Sequence, residues 1–143
     1  MRNTVRYVKG VDKKVDSPGR AIEFLRPSFR RLDHEEVWTL FVDNNNNPIA
    51  KRLHTIGGFK ITVLDKRRIV KDALTFNAAG VIVCHNHLSD VDPSYQDIEQ
   101  TKELRKTLEL FEVSLIDHII LNEIEFYSFS DENKYKLSDL HKS

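Results

Sequence analysis

Two histidines and an aspartate in the stretch VIVCHNHLSDVDPSYQDIEQ, residues 81–100, have the types and spacing of metal ligands. In an extended chain, side chains two apart point to the same side, so His85 and His87 can aim their imidazoles at one point. Asp97 falls in the first turn of a helix that opens at Ser94, where a carboxylate suits the helix dipole and can reach back to that point. Two neutral imidazoles and one carboxylate match a catalytic zinc site that keeps its fourth position for water. In such a site the cation pulls the pKa of water from ~15.7 towards ~7.

The same residues have a purely structural account. Ser94-x-x-Asp97 is a capping-box pattern with Asp in place of the usual Glu, and it arises without any metal. A histidine at a strand end can bond to backbone, and Asn86 can serve only the turn. Cys84 reads as a small buried hydrophobe, or as an adventitious thiol ligand beside His85.

Positioning these residues calls for a strand, a loop and a helix. AGVIVC (79–84) is short and continuously apolar, which suits a strand covered on both faces. After the histidine loop, Ser94 opens a long helix with Ile98, Thr101, Leu104, Leu108 and Phe111 directed to the core. Upstream, TVRYVK (4–9) reads as an edge strand, and Ser17-Pro18 caps a helix that Pro27 breaks or restarts. EVWTLFVD (36–43) and IAKRLHTI (49–56) form a hairpin around the NNNNP turn, closed by Gly57-Gly58. Asp65 caps KRRIVKDALTFN, a third helix. VSLIDHIIL and EFYSFS close the order as a strand pair, and the last dozen residues read as a loose polar tail. Strand, helix, hairpin, helix, strand, helix, strand pair predicts one α/β domain with a mixed sheet flanked by helices.

The 143 residues suffice for one domain, and 40% hydrophobic with 31% charged is an ordinary globular composition. No apolar run approaches the ~20 residues that span a bilayer, and MRNTVRYVKG has no secretory h-region. One cysteine rules out an internal disulfide. These features lead us to expect a cytoplasmic protein without membrane contact. Net charge is zero but uneven. Residues 1–31 carry nine Lys/Arg against three Asp/Glu, and residues 85–143 carry six against thirteen. Arg26, Arg30, Arg31, Lys66, Arg67 and Arg68 could bind phosphate, but the basic residues are not interleaved with a nucleic-acid motif, which favours a solvated basic face.

CHNHLSDVDPSYQDI resembles the His-x-His…Ser-x-x-Asp motif of the JAMM (MPN/JAB) metalloprotease superfamily, and most closely its RadC branch. Further similarity lies in AIEFLRP, LFVDNNNNPIAKRLHTIGG, DALTFNAAGVIVCHNH and LIDHIILNEIEFYSFSDE, covering residues 15–132 collinearly. The resemblance implies a JAB/MPN-like (cytidine deaminase-like) domain over 15–132, between an extension or edge strand at 1–14 and a tail at 133–143. It implies zinc ligands at His85, His87 and Asp97, and Ser94 as a stabiliser of the tetrahedral intermediate. It also implies a glutamate base at the start of an early strand. Glu35 matches the pattern E-x-[FV]-x-x-L-x-x-D, with Glu36 the alternative; strand parity lets only one of them face the site. Residues 44–64 contain no Asp or Glu, so the second hairpin strand cannot supply the base.

The sequence departs from the RadC pattern at Leu88, where proline is usual, and at Asp90, where glycine is usual. The loop from His87 to Asp97 is one residue shorter. His118 matches a common RadC histidine, either supporting a ligand or bonded within the sheet. The resemblance thus implies a zinc-dependent hydrolase of peptide or isopeptide amides. The competing readings are a DNA-repair-associated protein that binds nucleic acid, and a scaffold whose altered loop has lost catalysis.

Overall fold

Every residue of Glu36–Val42 and of Gly80–Asn86 is buried, as apolar, β-branched runs require when a strand is covered on both faces. These two strands form the centre of a mixed seven-stranded sheet. The computed structural model describes residues 5–7, 13–29, 33–56 and 64–141. In chain order the elements are β1 (Val5–Tyr7), α1 (Pro18–Leu25), a 3-10 turn (Arg26–Phe29), β2 (Glu36–Val42), β3 (Pro48–Ile56), α2 (Lys66–Thr75), β4 (Gly80–Asn86), α3 (Tyr95–Glu109), β5 (Ser114–Leu121), β6 (Glu125–Ser128), β7 (Asn133–Lys136) and a second 3-10 turn (Leu137–His141). The sheet order is β1-β3-β2-β4-β5-β6-β7. Strands β4 and β5 run parallel, joined by α3, and the other described pairs are antiparallel.

Helix α1 covers one face of the sheet with Ala21, Ile22 and Leu25 against Trp38, Leu40, Ile82, Cys84 and Phe126. Helices α2 and α3 cover the other, bringing Ile69, Ala73, Leu104 and Leu108 against Val37, Phe41, Val81 and Val83. Each such buried aliphatic side chain stabilises the fold by about 1.5–3 kcal/mol relative to its exposed state. Local chemistry sets the helix starts. Ser17 Oγ accepts the Arg20 N–H at 3.2 Å, Asp65 Oδ1 accepts that of Arg68 at 3.1 Å, and Ser94 Oγ that of Asp97 at 3.0 Å. Pro27 ends α1, and the chain continues as the 3-10 turn. In the asparagine turn, Asp43 Oδ1 accepts the N–H groups of Asn45 and Asn47, and Asn46 takes φ 64.

Three expectations need correction or restriction. The stretch read as a loose tail is partly built into the sheet: β7 pairs with β6, Tyr135 stacks on Phe126 at 5.3 Å, and Leu137 is buried. One aromatic and one leucine, spaced among charges, suffice to dock it. Phe111 does not enter the core; α3 stops at Glu109, and the ring is exposed on the turn that follows. Of the strand read at 4–9 only 5–7 is described, and Gly57-Gly58, Arg30 and Arg31 lie outside the described residues.

Candidate functional site

Strand β4 extends two residues beyond its apolar run, so His85 and Asn86 are still paired in the sheet, His85 opposite Val37 on β2 and opposite Ile120 on β5. Strand alternation places His85 on the face covered by α2 and α3 with Val81 and Val83, and Cys84 on the opposite face with α1. Cys84 is therefore a core residue turned away from the histidines, and burial pushes its thiol pKa upward.

The imidazoles of His85 and His87 lie with centroids 4.8 Å apart. The first turn of α3 brings Asp97 to both: His85 Nε2 is 3.6 Å from Oδ1, and His87 Nε2 is 3.4 Å from Oδ2. The capping box is present as well, since the Ser94 N–H donates to Asp97 Oδ2 at 2.9 Å. The structural and the chemical accounts of Ser94-x-x-Asp97 are thus one arrangement: the cap is what aims the carboxylate. Ser94 Oγ accepts the Asp97 N–H, and its side chain also bonds to the Asp97 carboxylate, which helps to keep that group ionised.

The shortened loop is held at several points. His87 Nδ1–H donates to the Asp90 carbonyl at 2.8 Å, so the ring's other nitrogen, Nε2, carries the lone pair towards Asp97. Asp90 Oδ1 accepts the Asp92 N–H at 2.9 Å, Asn122 donates to the Ser89 carbonyl at 3.0 Å, and Lys134 pairs with Asp92 at 2.9 Å. The loop leaves the three side chains together.

Glu35 and Glu36 have different surroundings. Glu36 points to the α1 side, where Oε1 accepts the Trp38 indole N–H at 3.0 Å and Oε2 lies 3.1 Å from His34 Nε2. Glu35, the residue before β2, is buried, and its charge helps raise the proton affinity of His87. Asn86, between the histidines, faces away from them and holds the segment carrying Glu35. It accepts the Glu36 N–H at 2.7 Å and donates to the His34 carbonyl at 3.1 Å. Its role was missed in the sequence, although alternation between two same-facing neighbours signals that it must face the other way.

His118 on β5 also reaches the site. Its Nε2 is 2.8 Å from His85 Nδ1, its Nδ1 is 2.6 Å from Thr101 Oγ1, and its ring stacks on Phe129 at 4.6 Å. Burial drives the His85 imidazole down to about 4 and that of His118 well below its ordinary value. For His87 burial pulls the same way, but Asp97 and the Asp90 carbonyl outweigh it and the net shift is upward. Burial would raise Asp97, yet His87, His85 and the Ser94 N–H together hold it well below the usual carboxylate range.

The donor set fits zinc. One ligand atom from each of His85, His87 and Asp97 can be chosen so that all lie within 4.8 Å of one another. Bonds of about 2.0–2.1 Å in tetrahedral geometry need donors roughly 3.3 Å apart, which the two histidine–aspartate distances nearly meet. A cleft of about 810 Å³ begins at Asn86 and His87 and runs past Leu88, Leu121 and Ile124 to Arg26. Among the described residues, the basic side chains Arg26, Lys66, Arg67 and Arg68 are not gathered in one patch. Lys66 pairs with Glu103 at 3.2 Å and Arg68 donates to the His54 carbonyl at 2.8 Å, both on α2, whereas Arg26 lies beyond the opposite face. Among the described residues, no helix is long and apolar enough to cross a membrane.

The profile of the family described as RadC-like JAB domain matches residues 15–135. A UPF0758 protein of Flavobacterium johnsoniae is 39% identical over 121 residues, 84% of this chain and 53% of its own length. The UPF0758 protein YkfG of Escherichia coli K12 is 35% identical over 134 residues, 88% of this chain and 85% of its own. A UPF0758 protein of Cupriavidus taiwanensis is 38% identical over 81% of this chain and 51% of its own. The chain thus spans about half the length of several curated relatives and most of YkfG.

Proposed function

The chain belongs to the RadC-like JAB-domain family, and from that premise we propose that it is a zinc-dependent hydrolase of peptide or isopeptide amides. The observation that carries this reading is the convergence of His85, His87 and Asp97 within 4.8 Å, with the buried Glu35 near enough for its charge to act on His87. His85 Nε2, His87 Nε2 and the Asp97 carboxylate would hold the metal. When bound, zinc supplies Lewis acidity, which polarises an amide carbonyl and makes water acidic near neutral pH.

The protein's own groups do the rest. Glu35 accepts a proton from the attacking water and passes it to the leaving amine nitrogen. Its burial excludes bulk water from that transfer. The Ser94 hydroxyl donates to the carbonyl oxygen as negative charge develops there. The cleft beside His87, with apolar Leu88, Leu121 and Ile124, has the volume and lining to seat chain flanking the scissile bond.

Elemental analysis of the purified protein beside His85→Ala and Asp97→Ala, each checked for folding by circular dichroism, tests the reading. One zinc per chain in wild type, lost in both folded variants, is expected. Wild type that takes up no zinc on supplementation overturns it.

A further inference from the structure

Each histidine of the site is anchored through the nitrogen that faces away from Asp97, and both anchors end on a main-chain carbonyl. For His87 the anchor is direct, Nδ1–H to the Asp90 carbonyl. For His85 it runs through two further side chains. His85 Nδ1 meets His118 Nε2 at 2.8 Å, His118 Nδ1 meets Thr101 Oγ1 at 2.6 Å, and Thr101 Oγ1 meets the Asp97 carbonyl at 2.7 Å.

The terminus fixes the direction of the chain. A carbonyl oxygen only accepts, and a threonine hydroxyl has one hydrogen, so that hydrogen goes to Asp97. Thr101 Oγ1 must then accept, which puts a hydrogen on His118 Nδ1. His118 Nε2 is left with a lone pair and accepts from His85 Nδ1–H. His85 Nε2 is consequently bare, and it is the nitrogen 3.6 Å from Asp97 Oδ1. Reversing the chain would place the Thr101 and Asp97 oxygens 2.7 Å apart with no hydrogen between them. One N–H on each ring and the one threonine hydrogen already supply every bond of the relay.

We propose that Thr101 and His118 are positioning residues that lock His85 in the Nδ1–H tautomer, so that its Nε2 lone pair faces the metal site before any metal arrives. This rests on the zinc reading for its purpose, though not for its geometry. The relay also ties the two ligand elements together, since Asp97 supplies a ligand through its carboxylate and the last acceptor through its carbonyl. Phe129, stacked on His118 with ring planes 9° apart, keeps the middle ring in plane for both of its bonds.

The test is long-range ¹H–¹⁵N spectroscopy of the imidazoles in the full chain, chelator-stripped at pH 7.5, with zinc affinity from chelator competition on the same samples. The Nδ1–H tautomer of both His85 and His118 is expected in the metal-free wild type. Thr101→Val keeps the shape but removes the hydroxyl; it should give mixed His85 tautomers and weaken zinc binding about 10–100-fold. Thr101→Ser should restore both. His85 found as Nε2–H in the metal-free wild type overturns the relay. So does a folded Thr101→Val with wild-type tautomer and affinity. Should Thr101→Val not fold, the wild-type spectrum and Thr101→Ser still decide. A wild type with His85 locked as Nδ1–H but no zinc affinity would sink the hydrolase reading and leave the relay standing.

Discussion

The side chain of Asn86 grips the main chain on both sides of Glu35, accepting from Glu36 N–H at 2.7 Å and donating to the His34 carbonyl at 3.1 Å. The residue between the two histidines thereby holds the segment that carries Glu35. Asn86→Ala leaves a buried N–H without its acceptor, so unfolding free energy should fall by about 1–3 kcal/mol. Zinc content should stay at the wild-type level, because Asn86 touches no ligand atom. Denaturant unfolding and elemental analysis read the two effects separately; unchanged stability would contradict the clamp.

Glu35 and Glu36 should respond in opposite ways. Glu35→Gln removes a proton acceptor without touching the ligands. On the proposed mechanism it should lower hydrolysis by about 10²–10⁴-fold with zinc retained. Glu36→Gln still offers an oxygen to the Trp38 N–H but loses the charge facing His34. It should cost about 1 kcal/mol of stability and leave turnover near wild type. A panel of fluorogenic peptide and isopeptide amides, assayed beside thermal unfolding, separates them. Equal loss of turnover in both would argue against the parity assignment.

The site was legible in the sequence wherever a local rule governed it. Alternation put His85 and His87 on one side, and the cap pattern put Asp97 in a first helical turn. Alternation also let only one of Glu35 and Glu36 face the site, and the preference for Glu35 came from the pattern E-x-[FV]-x-x-L-x-x-D rather than from any local rule. For His118 the sequence offered two parts, support of a ligand or a bond within the sheet, and could not choose, because it meets His85 across 33 residues of chain through the parallel pairing of β4 and β5. Thr101 was read as a core-facing helix position, which it is, but its hydroxyl bonds depend on which strand lies beneath α3. The docking of residues 133–137 escaped because Tyr135 and Leu137 stand among charges, with no periodic pattern long enough to detect.

Away from the metal ligands, His54 gives the fold a pH dependence. Burial, with Arg68 and Arg52 nearby and Asp65 opposing them, lowers its pKa from 6.5 to about 4. The neutral ring accepts the Asp65 N–H at 3.1 Å, joining β3 to the start of α2. Between pH 6.5 and 4 the unfolded chain binds a proton at His54 that the folded chain does not, so stability rises with pH across that window. The contribution is complete above about 6.5 and lost on acidification towards 4. At about 1.36 kcal/mol per pKa unit it amounts to roughly 3 kcal/mol. Urea unfolding at pH 7 and pH 5 should show a smaller drop for His54→Gln than for wild type. Identical drops would mean the ring titrates normally.

Ser94→Ala separates the two tasks that meet at the start of α3. The methyl cannot accept the Asp97 N–H, so stability should fall by about 0.5–2 kcal/mol, as for other lost N-caps. Asp97 Oδ2 is held by the main-chain N–H of residue 94 at 2.9 Å, and alanine keeps that group. The carboxylate should therefore stay aimed at His85 and His87, and zinc content should not change. What alanine removes from the proposed reaction is a hydroxyl donor to the developing oxyanion, with an expected loss of about 10²–10³-fold in kcat. Ser94→Thr, which retains the hydroxyl, should recover much of both losses. Zinc lost along with the cap in Ser94→Ala would show that the side-chain bond, rather than the main-chain one, aims Asp97.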